Sequence, residues 1–120
     1  MSEEKEERVK KEVRRLNRIY NKIEQKKKNT VQGLIQRAAY MRVSLEDFEK
    51  DLNKNGWTEK FSQGNQEPYD RKRPVAEMYN SLSTNYQKII KQLTDLLPKE
   101  PVKTEKDDDF DEFVNGREDV

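Results

Sequence analysis

Eight cations in this chain fall into two sets whose types and spacing suit anionic ligands. Lys11, Arg14, Arg15, Arg18 and Lys22 recur at short spacings that a helix gathers on one side, and Arg71, Lys72 and Arg73 follow one another beside Tyr69. Ammonium and guanidinium groups held on a rigid rod neutralise phosphates and release their counterions, so both sets are candidate DNA-binding residues. A loop cation next to an aromatic ring can meet phosphate and base together. The plainer alternative for the first set is a solvated face that keeps a coiled coil soluble, since Glu12 and Glu24 lie among the cations.

At the other end, DDDFDEFVNGREDV, residues 107 to 120, sets seven carboxylates around Phe110, Phe113 and Val114. General acid–base work needs a positioned, desolvated carboxyl, and hard cations need oxygen ligands in a preformed cage. Nothing in the stretch fixes Asp107, Asp108 and Asp109, so neither catalysis nor a metal site is expected there. A purely solubilising tail has no use for aromatics. At i, i+3 and i+4, Phe110, Phe113 and Val114 share one face if the segment folds on a partner, which makes them candidate partner-binding anchors. Docking onto the basic first helix of the same chain is the competing use.

What is missing narrows the chemistry further. There is no cysteine and no histidine, which removes thiolate metal sites, disulfides and the usual general base. The glycines Gly33, Gly56, Gly64 and Gly116 are never clustered, and no phosphate-cradling G-x-x-x-x-G-K-[ST] occurs. No catalytic residue and no cofactor is expected. The charged start, MSEEKEERVKKEV, is unlike a signal peptide, and no apolar run is long enough to span a bilayer. A soluble, intracellular protein without membrane contact is the expectation.

Periodicity gives the elements that carry these residues. Val9, Val13, Leu16, Tyr20 and Ile23 step by four and three, the seam of an amphipathic helix over residues 1–29 whose opposite face carries the first basic set. Val31, Leu34, Ile35, Ala38 and Met41 continue at helical spacing, and Asn29-Thr30 either caps a second helix or is absorbed into one; a break is expected. Ser44 opens a capping-box-like start for a short helix from Leu45 to about Asn53, with Leu45, Phe48 and Leu52 as its apolar face. Asn55-Gly56 suits a left-handed C-cap. Residues 30–56 therefore read as short helices, and 57–73 as a connecting loop with a short extended piece at Trp57 to Phe61. Trp57 and Phe61 read as core or subunit contacts before base-stacking groups. Pro74 fits a first helical turn. After it Val75, Tyr79, Leu82, Tyr86, Ile89, Leu93 and Leu96 form an unbroken heptad seam, the candidate oligomerisation residues of a helix over 74–97. At about 36 Å that helix is too long for so small a chain to cover. Pro98 and Pro101 then stop it, and 98–120 reads as a disordered acidic tail.

Composition supports assembly. With 31% apolar and 41% charged side chains, 120 residues bury one small core at most. The net charge of +1 conceals a net +5 over residues 1–29 and a net −5 over 98–120. A basic head and an acidic tail address two different partners, or each other. The expected fold is all-α: a helical hairpin of two long amphipathic helices with one or two short helices between, assembling through a coiled-coil-like seam.

The segment RPVAEMYNSLSTNYQKIIKQLTDLLPKEP, Arg73 to Pro101, resembles the central helix of small terminase subunits of tailed bacteriophages, the P27-like family of phages of Gram-positive bacteria. The likeness extends upstream through GLIQRAAYMRVSLEDFEKDLNKNGW and downstream to DDDFDEFVNGRE. It implies a non-catalytic, DNA-binding and regulatory component of a genome-packaging motor. Such subunits form homo-oligomeric rings, recognise double-stranded viral DNA, and regulate a large terminase subunit carrying the ATPase and nuclease. The implied setting is the cytoplasm of the infected bacterium. A helix-turn-helix built from Thr30–Met41 and Leu45–Asn53 would offer only Gln32, Gln36 and Arg37 as base readers, so shape or backbone binding is expected. The alternative is a coiled-coil scaffold or adaptor without nucleic acid.

Overall fold

A computed structural model describes residues 2–99, and within them three helices and a small hairpin succeed one another. Helix α1 spans Glu3–Ile19. Ser2 caps it by accepting from the Lys5 amide at 3.1 Å, and Glu3, Glu4 and Glu6 place negative charge at the positive end of its dipole. A turn and a single 3₁₀ turn, Gln25–Lys27, lead into α2, Lys28–Asn55. Strands β1, Thr58–Phe61, and β2, Tyr69–Lys72, pair antiparallel with Thr58 opposite Lys72 and Phe61 opposite Tyr69. Helix α3, Pro74–Asp95, closes the described chain, with Pro74 in its first turn as expected.

The helical character is as read from the sequence, but the fold is not all-α: the 57–73 stretch read as a connecting loop pairs as a hairpin, and the divisions between helices differ. The break falls at Tyr20 to Glu24, ahead of Asn29 and Thr30, which lie in the first turn of α2. Tyr20 and Ile23 are both buried, so the seam of α1 continues into the turn that reverses the chain. The two short helices expected over 30–56 are one 28-residue helix, about 42 Å long. Its buried positions explain why it does not break at Ser44. Ala38 and Ala39, then Val43, Ser44 and Leu45, are buried as neighbours in sequence. Consecutive burial means that two faces are covered, α1 lying on one and α3 on another. A chain break there would have left this central helix unable to serve both.

Two apolar clusters hold the bundle. The larger joins Val9, Leu16, Tyr20 and Ile23 to Val31, Ile35, Ala38, Ala39 and Val43 of α2 and to Leu93 of α3. The smaller joins Leu52, Val75 and Ala76, with Phe48 and Tyr79 against them. Both neighbours run antiparallel to α2: Asn17 accepts from Gln32 at 2.8 Å, and Tyr79 donates to Glu49 at 2.9 Å. The Tyr20 hydroxyl meets Thr94 Oγ1 at 3.0 Å, tying the end of α1 to the end of α3.

Polar clamps set the register. Arg8 forks onto Asp47 at 2.7 Å and Glu46 at 3.1 Å, while the Lys5 ammonium donates to Ser44 Oγ at 2.9 Å and lies 4.5 Å from the Tyr40 ring centre. Ser44, Glu46 and Asp47 thus receive α1 and do not start a helix. At the opposite end Gly56 takes φ 88°, a conformation glycine adopts freely, and its amide bonds to Leu52 O at 2.8 Å. The positive φ agrees with the left-handed cap expected of Asn55-Gly56, but ψ 174° is extended, so the chain leaves the helix straight into β1.

Candidate anion-binding face

Helix α1 turns its seam inward and thereby turns Lys11, Arg14 and Arg18 outward, and Lys22 follows them in the turn after it. All four are exposed. Among the described residues none of them forms an ion pair, whereas Lys5, Arg8, Lys10, Arg15, Lys27, Arg42, Lys60, Arg71, Lys72, Arg73 and Lys91 all do. From Lys11 to Arg18 the stripe covers about 10 Å of helix, and Lys22 extends it just past the helix end. Four solvated, uncompensated cations on one rigid edge make a surface that attracts anions by charge alone.

The fifth residue of the set behaves differently. Arg15 grips Glu12 with two bonds, Nε to Oε1 at 2.9 Å and Nη2 to Oε2 at 2.6 Å. Hydrogen bonding to Glu12 raises the guanidinium pKa. Glu12 therefore compensates Arg15 and leaves the rest of the stripe free.

The second basic set is occupied within the hairpin and its anchors. Arg71 bonds Glu59 across the strands at 2.8 Å, and its guanidinium carbon lies 3.6 Å from the Phe61 ring centre. Lys72 pairs with Glu77 at 2.8 Å, and Lys72 holds that carboxyl below its usual pKa. Arg73 donates to Gly56 O at 2.7 Å and to Asp51 at 2.9 Å, fastening the start of α3 to the end of α2. Tyr69 meets Phe61 edge-on at 5.9 Å, and Trp57 meets Tyr79 edge-on at 5.8 Å while remaining 47% exposed. The structure does not bring these three cations to the α1 stripe.

The heptad seam of α3 points into its own chain. Val75 and Leu93 are buried, and Tyr79, Tyr86, Ile89 and Leu96 pack on the two clusters. Leu82 alone belongs to neither. Two shallow hollows share it, one lined with Tyr40 and Met41 and the other with Phe48 and Met78. Tyr40 and Met78 are 48% and 51% exposed. The sequence signal for this strip was present but faint: Tyr40 and Met78 sit one position off their seams.

Phe110, Phe113 and Val114 lie outside the described residues. Among the described residues no group of three or more histidine, cysteine, aspartate or glutamate side chains is placed to hold a metal ion. No helix there is long and apolar enough to cross a membrane. No protein-family model, curated protein or solved structure matches the chain.

Proposed function

We propose that the protein binds the phosphate backbone of duplex DNA through Lys11, Arg14, Arg18 and Lys22, without catalysis, and serves as the small terminase subunit of a viral genome-packaging motor. The observation that carries the first half is the unpaired cationic edge of α1, set beside a second basic run whose charges are already compensated. Lysine and arginine along one helix edge meet backbone phosphates first, so binding is by charge and groove shape and depends little on sequence. The second half rests on the resemblance of Arg73 to Pro101 to small terminase subunits. It brings a homo-oligomeric ring, double-stranded viral DNA and the large terminase subunit as partners, in the cytoplasm of the infected host.

Because the α3 seam is used inside the chain, contacts between copies in such a ring would fall on Tyr40, Met41, Met78 and Leu82. That strip also favours the second reading, an adaptor that binds protein and no nucleic acid. The test is anisotropy of a random-sequence duplex at low salt, with the whole protein and with the combined variant Lys11→Glu, Arg14→Glu, Arg18→Glu and Lys22→Glu. Affinity should fall by about 100-fold or more in the variant. All four positions are exposed, so its circular dichroism should stay that of a helical bundle. A wild-type protein that ignores the duplex would leave only the adaptor.

A further inference from the structure

The cationic edge runs out at one end of the bundle, where α1 and α3 finish side by side around an open groove. Ile19, Leu97 and Pro98 supply its apolar floor, and Arg18, Lys22 and Lys99 its rim. Ile19 lies off the buried seam of α1 and is 47% exposed, a large apolar side chain that the described bundle leaves uncovered. Among the described residues the three rim cations have no carboxylate partner. The described chain ends on that rim, at Lys99.

The residues after Lys99 carry the complementary chemistry. Eleven positions on is Phe110, with Asp107, Asp108 and Asp109 before it and Asp111, Glu112, Phe113 and Val114 after. Eleven residues span up to about 36 Å, far more than a return to a groove at the point of exit requires. The other exposed apolar strip, along Leu82, is lined by a single cation, Arg37, and lacks this match of charge.

We infer that residues 107–114 dock in cis in this groove, with carboxylates against Arg18, Lys22 and Lys99 and Phe110 and Phe113 on Ile19 and Leu97. The tail then occupies the lower end of the phosphate-binding edge and competes with DNA for it, a consequence that rests on the proposed function, whereas the contact itself does not. A short tether gives the tail a millimolar effective concentration, so a weak contact suffices to hold it. It is also displaced readily by a polyanion, which offers more charge than five side chains. A partner that captures Phe110 and Phe113 would free Arg18 and Lys22, coupling partner binding to DNA binding.

The chain has no cysteine, so Asn115→Cys creates a unique thiol for a nitroxide on the whole protein. Amide spectra at low salt should lose most of the intensity of Ile19, Asn21, Lys22 and Leu97, and little at Trp57 or Gly64 in the hairpin region. The loss should vanish with Phe110→Ser and Phe113→Ser, which lie outside the described fold, and at high salt. No local loss, or a loss centred on Tyr40 and Met41, overturns the inference. So does broadening of unlabelled chains mixed with labelled ones, which would place the tail on another copy. This readout contains no DNA, so its failure is distinct from failure of the duplex assay. Ending the chain at Lys106 should then raise duplex affinity by about three- to tenfold. An unchanged affinity overturns the competition.

Discussion

At the scale of residues the cations divide by what faces them. Arg8 and Arg73 hold helices together, Arg71 holds the hairpin, Lys72 ties it to α3, and Lys11, Arg14, Arg18 and Lys22 meet no carboxylate among the described residues. Sequence shows where positive charge lies but not where its compensating carboxylate arrives from. Asp51 and Arg73 are twenty-two positions apart and meet only because α2 ends where α3 begins. Arg73→Ala should therefore cost about 1–2 kcal/mol in denaturant unfolding, since its two bonds are charge-assisted and its side chain is only 18% exposed. Duplex affinity in that variant should remain close to wild type. Asp51 also sets an acid limit. Asn55 and then Arg73 lower its pKa in the folded state, so its contribution is fully present above the ordinary carboxylate value and is lost as pH falls through the lowered one. The melting temperature should decline on acidification below about pH 4, less steeply in Asp51→Asn.

At the scale of elements, strong periodicity was legible and covered helices were not. The seams of α1 and α3 stand out because each helix buries one stripe. Helix α2 buries two, and Ala38-Ala39 and Val43-Ser44-Leu45 blur the period enough that Ser44 looks like a start. One continuous helix predicts slow amide exchange from Met41 through Leu45, uniform with the rest of the core; a turn between two helices would exchange fast there. The hairpin was half visible. TEKF and YDRK carry mostly exposed side chains, so no apolar alternation marks them, and the pairing rests on Arg71 over Phe61, the Glu59 bond and the Trp57 carbonyl accepting from Arg73 N at 2.9 Å. The candidate site fared similarly. The outward face of α1 follows from its seam and the pairing of Arg15 with Glu12 is a local i, i+3 contact, but the compensation of Arg71 by Glu59 and of Arg73 by Asp51 depends on tertiary placement.

At the scale of the whole molecule the question is what remains apolar once the bundle has closed. Leu93 is fully buried, and Leu93→Ala should cost about 2–5 kcal/mol because α1, α2 and α3 converge on it. Leu82 is not needed for that core. Replacing Met78 and Leu82 by Glu should leave stability nearly unchanged yet lower the mass measured by light scattering, if copies associate through the strip between α2 and α3. A wild-type mass of one chain at every concentration would remove the ring and leave the cationic edge to act alone.

Whether the four exposed cations along α1 and the turn after it bind duplex phosphates is decided by the salt dependence of that binding. Four neutralised phosphates give a slope of log affinity against log salt of about −3.6 per chain. Reversing Lys11, Arg14, Arg18 and Lys22 should abolish it, while Arg71→Ala and Lys72→Ala should leave it intact. A slope near zero, or one that survives the reversal and disappears with Arg71 and Lys72, would refute the phosphate-binding edge.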